Sequence, residues 1–385
     1  MSRVSIVKKR EDLYSTFVRA IEELDVQPVV PGDYVLIKPN LVQPAAPDSG
    51  QITSPQVLEA TGRYCLDAGA RRVIIGEGPS YYQPESCLRE CFTHTGVSQI
   101  AKKLGIKWVL FDEHSYRSFR KIPGRIPEDF RVSEFAFDCD KFINVPVLKT
   151  HFLTKVTLAM KNLKGCLKRE DKPMFHRGDL ARAVVELNKI VVPSLNVIDC
   201  TAKAIGAIGS VDSDVQQNKR GSSFIIASSD IVAVDAIGSA VIGIDPKTVR
   251  TIRLGKEAGL GEDDITQLDI YGEELKHLKI KVELPQEQLH QGFPLLEIAA
   301  DKACSGCIIP LLSALFQLQK RGARLENPLV LCLGKHSHVS SNSTRLLIGD
   351  CACKENGARE HSIEGCPPDR KEIIKELSKY MHWGE

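Results

Sequence analysis

Over the first 260 residues, short apolar runs alternate with stretches of helical patterning. Tyr34-Val-Leu-Ile-Lys38 and Arg72-Val-Ile-Ile-Gly76 are compact, rich in β-branched residues and bounded by turn formers. A helical segment separates them, which is the spacing of a β-α-β unit. Ser54 is suited to cap that helix and Pro55 to its first turn, and Val57, Leu58, Cys65 and Leu66 form an apolar face that ends near Gly69. Further strands are expected at Lys107–Phe111, Lys141–Val145, Leu195–Asp199 and Phe224–Ala227, with helices near 10–24, 178–190, 230–242 and 247–259. The alternation predicts an α/β fold, a mainly parallel sheet with helices on both faces.

A polar stretch from about 261 to 292, containing Gly261-Glu-Asp-Asp264, breaks this pattern. The expected division is a 1–260 α/β domain, a 261–299 connecting segment and a 300–385 cysteine-rich unit. That last unit reads as a small α/β domain: a helix over Cys304–Lys320, strands at Leu329–Leu333 and Arg345–Ile348, and a final helix over Pro367–Tyr380.

Composition narrows the class of protein. With 43% apolar and 26% charged residues, the 385-residue chain is that of an ordinary globular protein. A net charge of +2 without a long basic run speaks against nucleic acid or an anionic membrane as partner. The N-terminus, Met-Ser-Arg-Val-Ser-Ile-Val-Lys-Lys-Arg, lacks the apolar run of a signal peptide, and no stretch is long enough to span a bilayer, so a cytoplasmic location is expected. A homodimer is compatible with such a chain, closed dimers being the commonest assembly.

Candidate chemistry collects where strands end. Lys38-Pro39-Asn40 and Gly76-Glu77-Gly78-Pro79-Ser80 each follow a strand, and carboxyl ends of strands build the crevice of open α/β sheets. Asn144-Val-Pro-Val-Leu-Lys149-Thr150-His151 leads into Val156-Thr-Leu-Ala-Met-Lys161-Asn162-Leu-Lys164-Gly165. Lysines offer compact positive charge, and asparagines orient hydrogen bonds, so a small anionic substrate is expected there. Lys38, Asn40, Lys161, Asn162 and His176 are the candidate binding residues, and Lys149 and His151 the candidate catalytic pair. His151 and His176 each suit acid–base chemistry or metal ligation, or a satisfied structural role. Neither a Walker nor a dinucleotide-binding motif is present, so no nucleotide is expected. Asp199, Asp230 and Asp235 are ambiguous; Asp230 is placed to cap the helix that follows it.

Six of the twelve cysteines lie between Cys304 and Cys366. Cys304-Ser-Gly-Cys307 places two sulfurs within reach of one metal, and more distant cysteines can close such a site. In a reducing compartment such thiols are more often ligands than disulfides. Spacing alone leaves zinc and iron–sulfur open, with Cys353 able to stand in for Cys351. Cys332, inside Leu329-Val-Leu-Cys-Leu333, reads as a core thiol, as do Cys65, Cys87, Cys91, Cys139 and Cys166; Cys87 and Cys91 would share a helical face.

Val35-Leu-Ile-Lys-Pro-Asn40, the Asn144–His151 and Val156–Gly165 segments and Ser229-Asp-Ile-Val-Ala-Val-Asp235 together resemble the family called domain of unknown function 362, over residues 34 to 245. Members of that family often carry iron–sulfur elements. Gly349-Asp-Cys351-Ala and Gly365-Cys366-Pro-Pro-Asp-Arg resemble the cluster-binding region of the small subunits of respiratory NADH:quinone oxidoreductase and nickel hydrogenases. That resemblance implies a 4Fe-4S cluster on Cys351 and Cys366, with Cys304 and Cys307 as the remaining ligands. The expectation is therefore an iron–sulfur oxidoreductase acting on a small anion and served by a redox partner protein. The alternatives are an electron carrier or cofactor-assembly protein, and a zinc-stabilised hydrolase or transferase.

Overall fold

Strands β1 (Arg3–Lys8), β2 (Tyr34–Lys38), β3 (Arg72–Glu77), β4 (Lys107–Leu110), β5 (Lys141–Asn144), β6 (Leu195–Cys200), β7 (Phe224–Ser228) and β8 (Asp269–Gly272) form one sheet in the order β8-β1-β7-β6-β5-β2-β3-β4. Only β7 runs antiparallel to its neighbours, β1 and β6; every other pair is parallel. The architecture is thus the expected α/β one, a mostly parallel sheet covered on both faces. The structure, a computed structural model, describes all residues except 82–83, 120–128, 152, 178, 203, 206, 209–217, 220–222, 279, 281, 283, 301–302, 335–343, 357–360 and 384–385.

Alternation along the strands divides the core. Val35 and Ile37 point to one face with Val73 and Ile75, where Phe17, Leu24, Val57, Leu58 and Ala101 cover them from helices α1 (Leu13–Leu24), α2 (Pro55–Asp67) and α3 (Val97–Leu104). Leu36, Ile74, Ile198 and Ile226 point the other way, under Val184, Leu187, Val232 and Ile237. This second layer comprises α4 (Ala159–Asn162), α5 (Lys172–Arg177), α6 (Leu180–Asn188), α7 (Ile231–Val241) and α8 (Arg250–Glu257). Burial on both faces explains why β2 reads as a continuous apolar run.

Several local expectations change. Ser54 is the N-cap residue of α2, but its side chain does not cap the helix: its hydroxyl turns to Gln56 and its backbone N–H donates to Asp199 Oδ2 at 2.6 Å. Asp230 does cap α7, accepting from Val232 and Ala233 at 2.9 Å each. Cys87 and Cys91 do not share one helix, since Cys87 ends a 3-10 turn and Cys91 lies in the next short helix. Strand β1 was not anticipated, and β8, from the polar stretch after 260, pairs with it at the sheet edge.

The C-terminal residues build a second, all-parallel sheet of β9 (Leu296–Ala299), β10 (Leu329–Leu333), β11 (Thr344–Ile348) and β12 (Ser362–Ile363). Helices α9 (Ser305–Lys320) and α11 (Arg370–Leu377) pack together on one side of it, and α10 (Asp350–Asn356) follows β11 directly. The final helix starts later than expected, because Asp369 caps it by accepting from Lys371 and Glu372. Helix α9 also packs on α5 of the larger sheet, and Leu153 touches both cores.

Candidate functional site

At the carboxyl ends of β2 and β3 lies a cavity of about 110 Å³, below the ~300–1,000 Å³ of pockets for drug-sized ligands. Its lining includes Asn40, Gln51, Glu77, His151, Lys161, Asn162, Lys164, Lys172 and His176. Register explains part of this assembly. Lys38 stands opposite Asn144, Asn144 opposite Asn196 and Asn196 opposite Ser228, so four adjacent strands present polar residues at one level.

A directed series of amides forms the floor. Lys149 donates to Asn40 Oδ1; Asn40 Nδ2 donates to Asn162 Oδ1 at 2.8 Å; Asn162 Nδ2 donates to Asn144 Oδ1 at 2.8 Å; Asn144 Nδ2 donates to Asn196 Oδ1 at 2.9 Å; and Asn196 Nδ2 donates to the Ser228 carbonyl at 3.4 Å. Asn162 Nδ2 also donates to the Pro39 carbonyl at 3.2 Å. Both of its N–H donors are then spent, so Asn162 shapes the floor and has no N–H left for a ligand. Asn40 retains one N–H. The turn carrying Lys161 is fixed from below by Asp235, which is buried and accepts from the Ala159 and Met160 amides at 2.6 and 3.0 Å. Burial pushes the Asp235 carboxyl up to about 7 against those two hydrogen bonds.

Two lysines expected to bind substrate or act on it sit behind the wall. Lys38, fully buried, pairs with Glu77 Oε2 at 2.8 Å and donates to the Pro39 carbonyl at 3.0 Å. Lys149, also fully buried, holds Asn40 and the Gln51 carbonyl. Their roles are to orient Glu77 and Asn40, which do face the cavity. Gly165 is needed for this close approach, because a Cβ there would lie 1.9 Å from Glu77 Oε1 and 2.5 Å from Lys38 Nζ. Of the charged lining residues, Glu77 and Lys164 stand in the candidate segments Gly76–Ser80 and Val156–Gly165 but were not singled out there, and Lys172 was not anticipated. Lys172 belongs to a polar run, Lys168-Arg-Glu-Asp-Lys172, that reads as solvated surface.

Basic side chains dominate the cavity. Burial brings Lys161 down to about 7. Lys149 and Lys164 lie well below the ordinary lysine value, through burial first and then the charge of Lys161. Lys172 is lowered mainly by burial, although Asp112 and Glu77 oppose the shift. It donates to the Gly78 and Pro79 carbonyls at 2.8 Å each, and Lys164 pairs with His176 Nε2. Burial, then nearby lysines, holds both His151 and His176 neutral. The Leu153 and Thr154 amides donate to His151 Nδ1 at 3.0 and 3.2 Å. Its ring proton therefore sits on Nε2, which makes His151 a donor in this state. An entering anion would offset cations that now repel one another.

The cysteines separate into two groups. Cys304 is the N-cap residue of α9, without a side-chain cap, and Cys307 lies one turn into that helix. Their mutual hydrogen bond draws Cys304 down to about 6 and pushes Cys307 up, to which burial and the charges of Cys304, Cys366 and Cys351 add. Cys304, Cys351 and Cys366 thus lie near enough for their charges to act on Cys307. Gly349, at φ +88°, makes room, since a Cβ there would lie 2.5 Å from Cys307 Sγ. Cys353 does not join them: it turns into a small core with Cys332, Val330 and Leu347. Among the described residues no three His, Cys, Asp or Glu side chains stand close enough to hold a single metal ion. Four thiols are a donor set that serves a tetrahedral zinc ion and a 4Fe-4S cluster alike.

Fold and cavity together define an α/β protein with a cationic site at the carboxyl edge of its sheet. The chain belongs to the family described as domain of unknown function (DUF362), whose model matches residues 35–240. It is similar to a thylakoid-associated protein of Synechocystis sp., with 27% identity over 238 residues, covering 60% of this chain and 70% of that one. The lactate racemase apoprotein from Thermoanaerobacterium thermosaccharolyticum aligns at 14% identity with a TM-score of 0.38, covering 63% of this chain and 58% of that chain. Among the described residues no helix is long and apolar enough to cross a membrane.

Proposed function

We propose that this chain is an iron–sulfur oxidoreductase that binds a small anion in the lysine-lined cavity. The observation that carries the binding half is the lining itself: Lys161, Lys164 and Lys172 face the cavity with Glu77 as the carboxylate among them. A buried surplus of cations in so small a volume is costly unless a counter-ion fills it. The redox half rests on the nearness of Cys304, Cys351 and Cys366 to Cys307, felt through their charges. These four residues would hold a 4Fe-4S cluster, which supplies single electrons when bound. In this reading the 300–385 unit serves the 1–260 unit through the packing of α9, which carries Cys307, on α5, which carries Lys172 and His176. A redox partner protein would exchange electrons at the exposed Cys366 side.

The chain's own residues have defined tasks. Lys164 and Lys172 hold the negative charge of the substrate, the remaining Asn40 N–H and His151 Nε2–H orient its oxygens, and Lys38, Lys149 and Asp235 keep those groups in place. Iron and acid-labile sulfide analysis of protein purified without oxygen tests the redox half. About four of each per chain, with an EPR signal after dithionite, is the expected result; stoichiometric zinc without sulfide would overturn it. Thermal-shift titration with phosphate and propionate tests the binding half, and a melting temperature that responds to neither anion would remove it.

A further inference from the structure

Among the described residues, each lysine around the cavity has a partner except one. Lys38 is paired with Glu77, Lys149 with Asn40 and the Gln51 carbonyl, Lys164 with His176, and Lys172 with two carbonyls. Lys161 lines the cavity with no hydrogen-bond or ion-pair partner among the described residues. Two more features set it apart. Its helical turn is pinned by Asp235, so its base is fixed while its end is free. The groups facing it are Lys149, His151, Lys164 and His176, with no carboxylate among those that act on its charge. An amine so placed is not built to hold a salt bridge. Desolvation beside other cations is the environment that leaves a lysine neutral and nucleophilic.

We propose that Lys161 forms an imine with the carbonyl group of a small 2-oxo acid. The class follows from the neighbours: the basic groups Lys164 and Lys172, whose protonated forms an entering anion would favour, call for a carboxylate, the unpartnered amine calls for a carbonyl, and about 110 Å³ requires both on one small molecule. The inference rests on the anion-binding reading of the cavity and is independent of the cluster. The lone pair of Lys161 Nζ attacks the carbonyl carbon, forming the N–C bond as the C=O π electrons move to oxygen. The nitrogen gives up its protons to that oxygen, which departs as water, leaving C=N with no change in oxidation state. Lowering of the Lys161 ammonium to about 7 supplies the free amine at neutral pH.

The test is reductive trapping on the full chain. Protein is incubated with pyruvate and cyanoborohydride, and its peptides are mapped by mass spectrometry. The expected result is a carboxyethyl adduct concentrated at Lys161, lost in Lys161→Arg and suppressed by propionate, which has the carboxylate but not the carbonyl. An adduct spread over surface lysines, or one that persists in the variant at other sites, overturns the proposal. Propionate raising the melting temperature without any adduct at Lys161 overturns the imine while sparing the anion reading. Absence of both responses removes both.

Discussion

Replacing Lys161 by methionine should stabilise the protein, and more so at pH 7 than at pH 9. The side chains have similar length, and Lys161 has no partner among the described residues to lose. At about 1.36 kcal/mol per pH unit, a fall from 10.5 to about 7 makes the buried ammonium about 4–5 kcal/mol less stable than an exposed one. The sign follows from proton counting. Between about 7 and 10.5 the unfolded lysine is protonated and the folded one is not, so the unfolded chain holds more protons and the parent gains stability as pH rises. Below about 7 the penalty is complete. At pH 7 it is about 4 kcal/mol and at pH 9 about 2 kcal/mol, so the advantage of Lys161→Met should shrink by about 2 kcal/mol over that interval. Lys149, His151, Lys164 and His176 are each held down in part by the charge of Lys161, so its removal favours their charged forms and adds to the advantage of the variant at the lower pH. Urea unfolding at the two pH values gives the comparison. Parallel stability for parent and variant, or a variant that is less stable at both, would refute the claim that the cavity holds a strained cation.

Other substitutions probe the supports. Asp235→Asn keeps one acceptor oxygen but turns an N–H toward the other of the Ala159 and Met160 amides, and should cost about 1–3 kcal/mol in denaturant unfolding. Asn162→Ala strands Pro39, Asn40 and Asn144 together and should cost about 3 kcal/mol or more by the same measurement. Cys351→Ala should abolish iron retention in anaerobically purified protein, whereas Cys353→Ala, changing a core contact, should retain it. Gly349→Ala forces a left-handed φ and a clash with Cys307, so iron content should fall along with about 1–3 kcal/mol of stability.

The sheet was legible because its inner strands are buried on both faces: Val35-Leu-Ile37 and Ile74-Ile75 leave little choice of conformation. Strand β1 carries the same apolar character, Val4, Ile6 and Val7, but adjoins the charged run Lys8-Lys-Arg10, which masks it. The site was legible in part. Asn40, His151 and Lys161 follow strands and do line the cavity, whereas Lys38 and Lys149, expected there for the same reason, support it from behind. Residue type could not separate the two, since a lysine that holds a wall and one that faces a ligand follow the same strand ends. Lys172 was hidden for the opposite reason. Its acidic neighbour Asp171 is buried against Arg131, so a run with the polarity of surface chain packs inside.

The amide series beneath the cavity has a further property. A backbone carbonyl can only receive protons in a hydrogen bond, so the Ser228 carbonyl at one end, with Lys149 donating at the other, gives the series a single polarity. No asparagine within it can turn its amide over alone without setting oxygen against oxygen or N–H against N–H at both of its joints. The floor therefore moves as one piece or not at all. A ligand that pulls on the remaining N–H of Asn40 pulls on β5, β6 and β7 together, and the site resists deformation by spreading that pull across the sheet.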